Sequence, residues 1–308
     1  MRIALATLCL NEAEWLPSLY EQHKNWPGLV SWVFVESADV LYAKSDPTLV
    51  DARGLSTDST SAILSELELN DSRVKYIPHG WCGSEDSAQG KCQARSRYLE
   101  HFDEVKPDIV IVVDADEFYT FQDQEEIIQF CEHWFPEYSA MLLKQRHVWN
   151  PPCYPKSRLF REEVVRAYWS VPHTRVWRWI PGMRYIRNHN WPEINGRYLN
   201  KRAVRLHVVN NTPQCVHLGY ASSLWRRGAK HQYYKIRGEG VSDGRQMYVD
   251  CRTAFENFKP GGQLPHGALI IPYEGPIPEV FKNGSAKGTS DCDLLQPSPQ
   301  HEPDHPSG

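Results

Sequence analysis

Residues 107–118 read Pro107-Asp108-Ile109-Val110-Ile111-Val112-Val113-Asp114-Ala115-Asp116-Glu117-Phe118. The run Ile109–Val113 has no polar position and so no side suited to water. That is the pattern of a strand covered on both faces, central in a parallel sheet. On its N-terminal side, Ile3–Leu10 reads as another buried strand, followed by a helix carrying Trp15, Leu16, Leu19 and Tyr20 at helical spacing. Val30–Glu36 is a second strand. Ser59–Leu69 is a helix with Ile63, Leu64 and Leu67 on one face, which Asp58 and Ser59 can cap. Val74–Pro78 is a short strand and Lys91–Phe102 a helix. On the C-terminal side come a helix over Gln124–Trp134 and a strand over Ala140–Lys144. Strands separated by helices of this length require crossover connections. The fold class is therefore α/β, with a mainly parallel sheet flanked by helices.

Asp114 and Asp116 follow directly on the aliphatic strand, at its carboxyl end, where open α/β sheets bind ligands. If the chain stays extended, residues i and i+2 share a face and both carboxylates point into one site. Hard oxygen donors in an incomplete shell suit Mn²⁺ or Mg²⁺ bridging a diphosphate. The bland reading is a solvated turn after a strand. The five aliphatic residues in front of the pair favour the metal.

Composition adds a charge map. The 308 residues carry a formal charge of −4, but unevenly. Residues 1–139 hold 10 Lys+Arg against 25 Asp+Glu, and residues 140–240 hold 19 against 4. Such a split points to a polyanionic partner for the middle segment, or to two halves that neutralise each other across an internal interface. No run of eighteen apolar residues is present, so no membrane span is expected. The apolar stretch at the N-terminus is short, has a single Arg in front, and is interrupted by Asn11 and Glu12. It reads as a first strand rather than a signal peptide. Eight Cys without a C-x-x-C pair are expected to be reduced thiols, which implies a cytoplasmic location. Beyond residue 145 the periodicity weakens into short aromatic–basic stretches such as Arg175-Val176-Trp177-Arg178-Trp179. From about residue 283 there is no apolar pattern, and that tail is expected to be disordered. The expected organisation is a nucleotide-binding half over 1–140, an acceptor-binding half of the same domain over 141–282, and the tail 283–308.

In these pieces the chain resembles the GT-A glycosyltransferases, particularly the family 2-like enzymes that use nucleotide-activated sugars. Thr7-Leu8-Cys9-Leu10-Asn11-Glu12 resembles the turn after the first strand. Phe34-Val35-Glu36 resembles the second strand, whose terminal acid faces the nucleoside in that family. Ser56-Thr57-Asp58-Ser59-Thr60 resembles the stretch that opens the next helix. Gly90-Lys91 followed by Ala94-Arg95 resembles the basic helix before the D-x-D, and Asp114-Ala115-Asp116 the D-x-D itself. The resemblance implies donor contacts from Thr7, Asn11, Glu12, Glu36, Asp58, Lys91, Arg95 and Asp114. It extends to Val216-His217-Leu218-Gly219-Tyr220, which implies His217 as a third metal ligand beside Asp114 and Asp116. Arg226, Arg227 and Lys230 would then hold the diphosphate, where cations offset charge on the leaving nucleotide. The chain departs from the family in four ways. Glu36 stands where Asp is usual, and some twenty residues (Ser37–Leu55) separate it from the Ser-Thr-Asp stretch. No Q-x-x-R-W element of a processive synthase appears, and no clear Glu-Asp pair marks the base that inverting members use.

The implied reaction is metal-assisted departure of a nucleoside diphosphate from a sugar, UDP being the family's usual carrier, in a hexosyltransferase-like, non-processive enzyme. An inverting course needs a carboxylate to take the acceptor's proton. Glu193, among the aromatics of Asn190-Trp191-Pro192-Glu193-Ile194, is the candidate, with an exposed loop acid as its bland alternative. Residues 140–240 interleave the cations with rings such as Trp149, Trp169, Trp177, Trp191 and Tyr198, the composition expected around a nucleic-acid strand. A hydroxymethylated base in double-stranded viral DNA, modified in the cytoplasm of an infected cell, fits that map. The competing classes are a glycosyltransferase acting on a surface glycan or glycolipid, and a nucleotide- or nucleic-acid-binding protein without chemistry.

Overall fold

The computed structural model describes residues 1–41, 47–83, 87–149, 160, 166–169, 172–199, 203–205, 213–222, 241–242, 245–246 and 271–282. Arg226, Arg227, Lys230 and the tail from residue 283 lie outside the described residues.

Four strands form the parallel part of the sheet. They are β1 (Ile3–Cys9), β2 (Leu29–Asp39), β3 (Val74–Cys82) and β4 (Ile109–Val112), in the order β3-β2-β1-β4. The register sets Ile3 beside both Leu29 and Ile109, and Cys9 beside Glu36. Side-chain alternation sorts the strands' residues into two cores. Ile3, Leu5, Trp32, Phe34, Ile109 and Ile111 face one core; Ala4, Ala6, Val33, Val35, Val110 and Val112 face the other. Helices α1 (Leu16–His23), α2 (Thr60–Asn70) and α4 (Phe121–Trp134) cover the first face through Leu16, Leu19, Leu64 and Ile127. Helix α3 (Ser87–Val105) covers the second through Tyr98, Leu99 and Phe102, helped by Trp177 and Trp179. Burial on both faces is why β1, β2 and β4 read as largely apolar runs, whereas β3, at the border of the sheet, alternates buried and exposed residues.

The second half continues the sheet in a different sense. Strand β8 (His173–Arg178) pairs antiparallel with β4, and β6 (Ala140–Trp149) pairs antiparallel with β8. Strand β7 (Arg166–Trp169) lies antiparallel to β6, and β12 (Gln214–Tyr220) runs parallel to it. Two-residue β5 (Glu117–Phe118) pairs with β12, which carries the chain past the carboxyl end of β4 and back onto the sheet. None of the described helices is long and apolar enough to cross a membrane. The five described cysteines, Cys9, Cys82, Cys92, Cys131 and Cys215, are buried thiols outside any disulfide among the described residues.

Two anchors fix β5 and β12. At α4, Thr120 and Asp123 form a reciprocal cap, and Asp123 Oδ1 also accepts the Gln214 N–H at 3.0 Å. At α1, the Tyr119 N–H donates to His23 Nε2 at 3.1 Å, while His23 Nδ1 lies 3.0 Å from the Leu19 carbonyl. A backbone N–H can only donate, so Nε2 accepts, Nδ1 carries the proton, and the ring is neutral. Burial drives its pKa down to about 3. The unfolded chain takes up that proton near pH 6.5, so stability is lost as pH falls from about 6.5 toward 3, by about 1.4 kcal/mol per unit. Urea unfolding of wild type and His23→Leu between about pH 6.5 and 4 should show the wild type with the steeper acid loss. Equal slopes would contradict the neutral-imidazole assignment.

Candidate active site

The carboxyl ends of β1, β2 and β4 form one edge of the sheet, and the loops after them carry the residues singled out in the sequence. The chain does not stay extended after β4. The Glu117 N–H donates to the Asp114 carbonyl at 2.9 Å, which closes a turn over residues 114–117. The expected shared face of Asp114 and Asp116 is therefore replaced by a turn that sends each carboxylate to its own partners.

Asp114 turns toward two arginines. Its Oδ2 accepts from Arg175 Nη2 at 2.8 Å, and its Oδ1 lies 3.5 Å from Arg95 Nη2. Burial by itself would raise this carboxyl, but Arg175 and Arg95 outweigh it and hold its pKa below the ordinary value. The side chain keeps 31% of its surface exposed. Arg175 also donates to Glu117, which further accepts from Gln145 Nε2 and, at 3.1 Å, from the Asp114 N–H. Complete burial raises Glu117 to about 8, against the pull of Arg175 and with the help of Asp114 and Asp116. The turn thus rests on a buried layer in which one guanidinium spans two carboxylates.

Asp116 turns toward β12. Its Oδ1 lies 3.4 Å from His217 Nε2, and its carbonyl accepts the Leu218 N–H at 2.8 Å. The parallel register sets His217 directly opposite His147 of β6, and their Nδ1 atoms are 2.6 Å apart. One Nδ1 must donate and the other accept. With the proton on His217 Nδ1, its Nε2 presents a lone pair beside Asp116, the arrangement by which a neighbouring group orients a metal-binding imidazole. Asp116 Oδ1 and His217 Nε2, 3.4 Å apart, are close enough to serve one divalent ion together. Among the described residues no group of three or more His, Cys, Asp or Glu side chains is already gathered around a metal position. The donor set fits a divalent ion held by few protein groups and completed by substrate oxygens, with Asp114 Oδ1, loosely held at 3.5 Å from Arg95, as the adjustable third member.

The expected donor contacts on β1 and β2 are engaged within the protein. Thr7 is buried and accepts from Trp32 Nε1 at 3.0 Å. Glu36 is fully buried and accepts from the Ser56 N–H at 2.7 Å, from Ser61 and from the Tyr76 hydroxyl. With no exposed surface it ties β2 to the loop before α2 rather than facing a ligand. Asn11, at φ 54°, reaches the Leu49 carbonyl at 2.6 Å and accepts the Thr57 N–H at 3.0 Å. The Glu12 N–H donates to the Thr60 hydroxyl at 2.8 Å, and Asp58 accepts the N–H groups of Ala13 and Thr60 at 3.2 and 2.9 Å. These residues knit the insertion over Ser37–Leu55 to the edge of the site. Lys91 is half-buried on α3.

Glu193 stands apart from this cluster in a fork with Arg187, at 3.0 Å to Nε and 2.6 Å to Nη2, with 1% of its side chain exposed. Arg187 holds its pKa below the ordinary value, the wrong direction for a group that must take a proton near neutrality. The geometry makes it a clamp rather than the expected base. Sequence reading assigned no role to Arg175, Gln145 or His147. For Arg175 the signal was present in the alternating stretch 175–179, since a strand beside β4 turns one set of its side chains onto the site; nothing in the sequence pointed to the pairing of His147 with His217.

No protein-family model and no curated protein matches this chain. Among solved structures, Staphylococcus aureus TarS 1-349 aligns at 13% identity over 83% of this chain and 71% of its own, with a TM-score of 0.40. The mannosyltransferase PcManGT from Pyrobaculum calidifontis, solved with GDP-Man and Mn²⁺, aligns at 15% identity over 83% and 73%, with a TM-score of 0.39. TarS 1-349 in complex with UDP aligns at 16% identity over 53% of this chain, with a TM-score of 0.33, and this chain spans 40% of that fragment. These overlaps are loose, and it is the strand order that characterises the fold. A parallel β3-β2-β1-β4 sheet flanked by helices, bordered beyond β4 by an antiparallel strand, is a Rossmann-like α/β arrangement.

Proposed function

We propose that the chain is a metal-dependent glycosyltransferase that takes a sugar from a nucleoside-diphosphate donor, UDP being the carrier put first, and passes it to a hydroxyl acceptor. The observation that carries this reading is the convergence of Asp116 Oδ1 and His217 Nε2 at 3.4 Å, just past the carboxyl end of an apolar parallel strand. Asp116 and His217 would hold the ion, with Asp114 as the third candidate ligand. A divalent ion there supplies Lewis-acid stabilisation of the leaving diphosphate. His147 keeps the His217 ring aimed. Arg175 and Arg95 offset the negative charge of the carboxylate turn, so that a diphosphate can approach it. Mixing the chain with Mn²⁺ and a panel of UDP-, GDP- and dTDP-sugars should release a nucleoside diphosphate from at least one. No release from any, with or without Mn²⁺, would leave a binding protein without chemistry.

The acceptor reading starts from the cation excess of residues 140–240. Hydroxymethylated duplex DNA is the acceptor that excess favours, and product formed only on such DNA, with affinity falling steeply in salt, supports it. A specific observation favours a glycan instead. Arg175 pairs with Asp114 and Glu117, and Arg184 with Asp103, so cations of the middle segment are matched to acids of the first half. Arg187 pairs with Glu193. Part of the charge split is thus neutralised inside the protein.

A further inference from the structure

A small hairpin, linked to the carboxylate turn through Arg95, has no part in the chemistry above. Strand β9 (Glu193–Ile194) pairs antiparallel with β10 (Arg197–Tyr198) across Asn195-Gly196, whose φ angles of 48° and 73° make a two-residue turn of the type that matches strand twist. Its approach segment is tied to the site by one side chain. Arg95 Nη1 donates to the His189 carbonyl at 2.7 Å while its Nη2 faces Asp114 at 3.5 Å. A single guanidinium therefore separates the segment before Trp191 from the Asp114 carboxylate.

The hairpin is held rigid. Arg187 grips Glu193 and also donates to the Gly196 carbonyl at 2.8 Å, and Asn188 Oδ1 accepts the Asn190 N–H at 2.8 Å. On this frame Trp191 stays 37% exposed, and its ring meets Tyr198 at 5.8 Å and 76°. The Arg187 guanidinium covers Tyr198 at 4.8 Å from the ring centroid. An exposed indole fixed in place loses little freedom on binding, which is how aromatic anchors are used at recognition surfaces. Among the described residues the cation on the rings is Arg187, half-exposed itself but matched in charge by the buried Glu193. Arg197, next to Tyr198 in the strand, points to the opposite side of the hairpin. A phosphate-bearing strand would need open cations beside the rings. An uncharged ring with a C–H face needs only the negative face of an indole.

We propose that the Trp191–Tyr198 corner is an acceptor subsite for an uncharged pyranose ring, placed beside the donor site by Arg95. This rests on the glycosyltransferase reading. Binding of chitotetraose, cellotetraose and maltotetraose, with a short DNA duplex for comparison, is measured by calorimetry and saturation-transfer NMR on the full chain. At least one tetrasaccharide is expected to bind, to resist an increase in salt, and to weaken about tenfold or more in Trp191→Ala, with Trp191→Tyr restoring most of the affinity. No tetrasaccharide binding, binding equal in wild type and Trp191→Ala, or Trp191-dependent binding of the duplex alone overturns the proposal. Absence of Mn²⁺-dependent release from the nucleotide-sugar panel by wild-type protein would instead remove the enzyme reading, and the two failures are read in separate assays.

Discussion

Asp116→Asn is expected to lower Mn²⁺-dependent release of nucleoside diphosphate by about 10²–10³-fold, the scale on which removal of one preorganised charge-stabilising group acts. The change keeps the size of the side chain and removes its anionic oxygen. Asp116 keeps 5% of its side chain exposed, and its backbone carbonyl still accepts from Leu218, so the turn should survive. The loss should appear as weaker Mn²⁺ binding, followed by electron paramagnetic resonance of the free ion, as well as slower turnover. Asp114→Asn should behave differently, because Asp114 is also the partner of Arg175 and Arg95. It should lose stability along with activity. Full activity with unchanged Mn²⁺ affinity in Asp116→Asn would sink the metal assignment.

The largest expected effect on stability belongs to Arg175→Met. Arg175 keeps 8% of its side chain exposed and Glu117 none, and the guanidinium bonds to Glu117 and Asp114 together. Deleting the cation leaves the fully buried Glu117 carboxyl without its guanidinium partner and the partly exposed Asp114 with only Arg95, 3.5 Å away, as counter-charge. Breaking a buried pair in this way costs about 3–5 kcal/mol. Urea unfolding near neutral pH should report that loss, and Arg175→Met with Glu117→Gln should recover a substantial part of it. A single variant as stable as wild type would mean that the guanidinium does not carry the carboxylate turn. The double variant separates this effect from simple loss of packing, since adding Glu117→Gln restores no methylene contact.

The parallel strands were legible because burial on both faces writes itself into consecutive residues. Ile109–Val113 could hardly be read otherwise, and Ile3–Leu10 was found nearly at its observed bounds, whereas Val74–Pro78 covers only the first part of β3, which runs on to Cys82. Strand β8 was blurred because it buries only part of itself. Val176, Trp177 and the half-exposed neighbours of β8 obey a mixture of core, site and solvent. Glu36 was expected to face a ligand because the family resemblance of Phe34-Val35-Glu36 implies it. In the fold β2 continues to Asp39, and Glu36 is enclosed by Ser56, Ser61 and Tyr76 from a loop whose path no local pattern encodes. Glu193 was read as a base because rings surround it; the fork with Arg187, six residues earlier, decided its role.

Local order along the chain by itself determined the α/β class, the central strand and the position of Asp114 and Asp116 at its carboxyl end, because hydrophobic periodicity and strand-end chemistry are properties of neighbouring residues. Only the tertiary structure decided which groups those carboxylates meet. Asp116 finds His217 from about a hundred residues away through the pairing of β5 with β12, and His217 finds His147 through the register of β12 on β6. Arg175 reaches Asp114 because β8 lies against β4. Such contacts are set by long-range strand pairing, whose register depends on the whole core and not on any stretch of sequence that contains the residues involved.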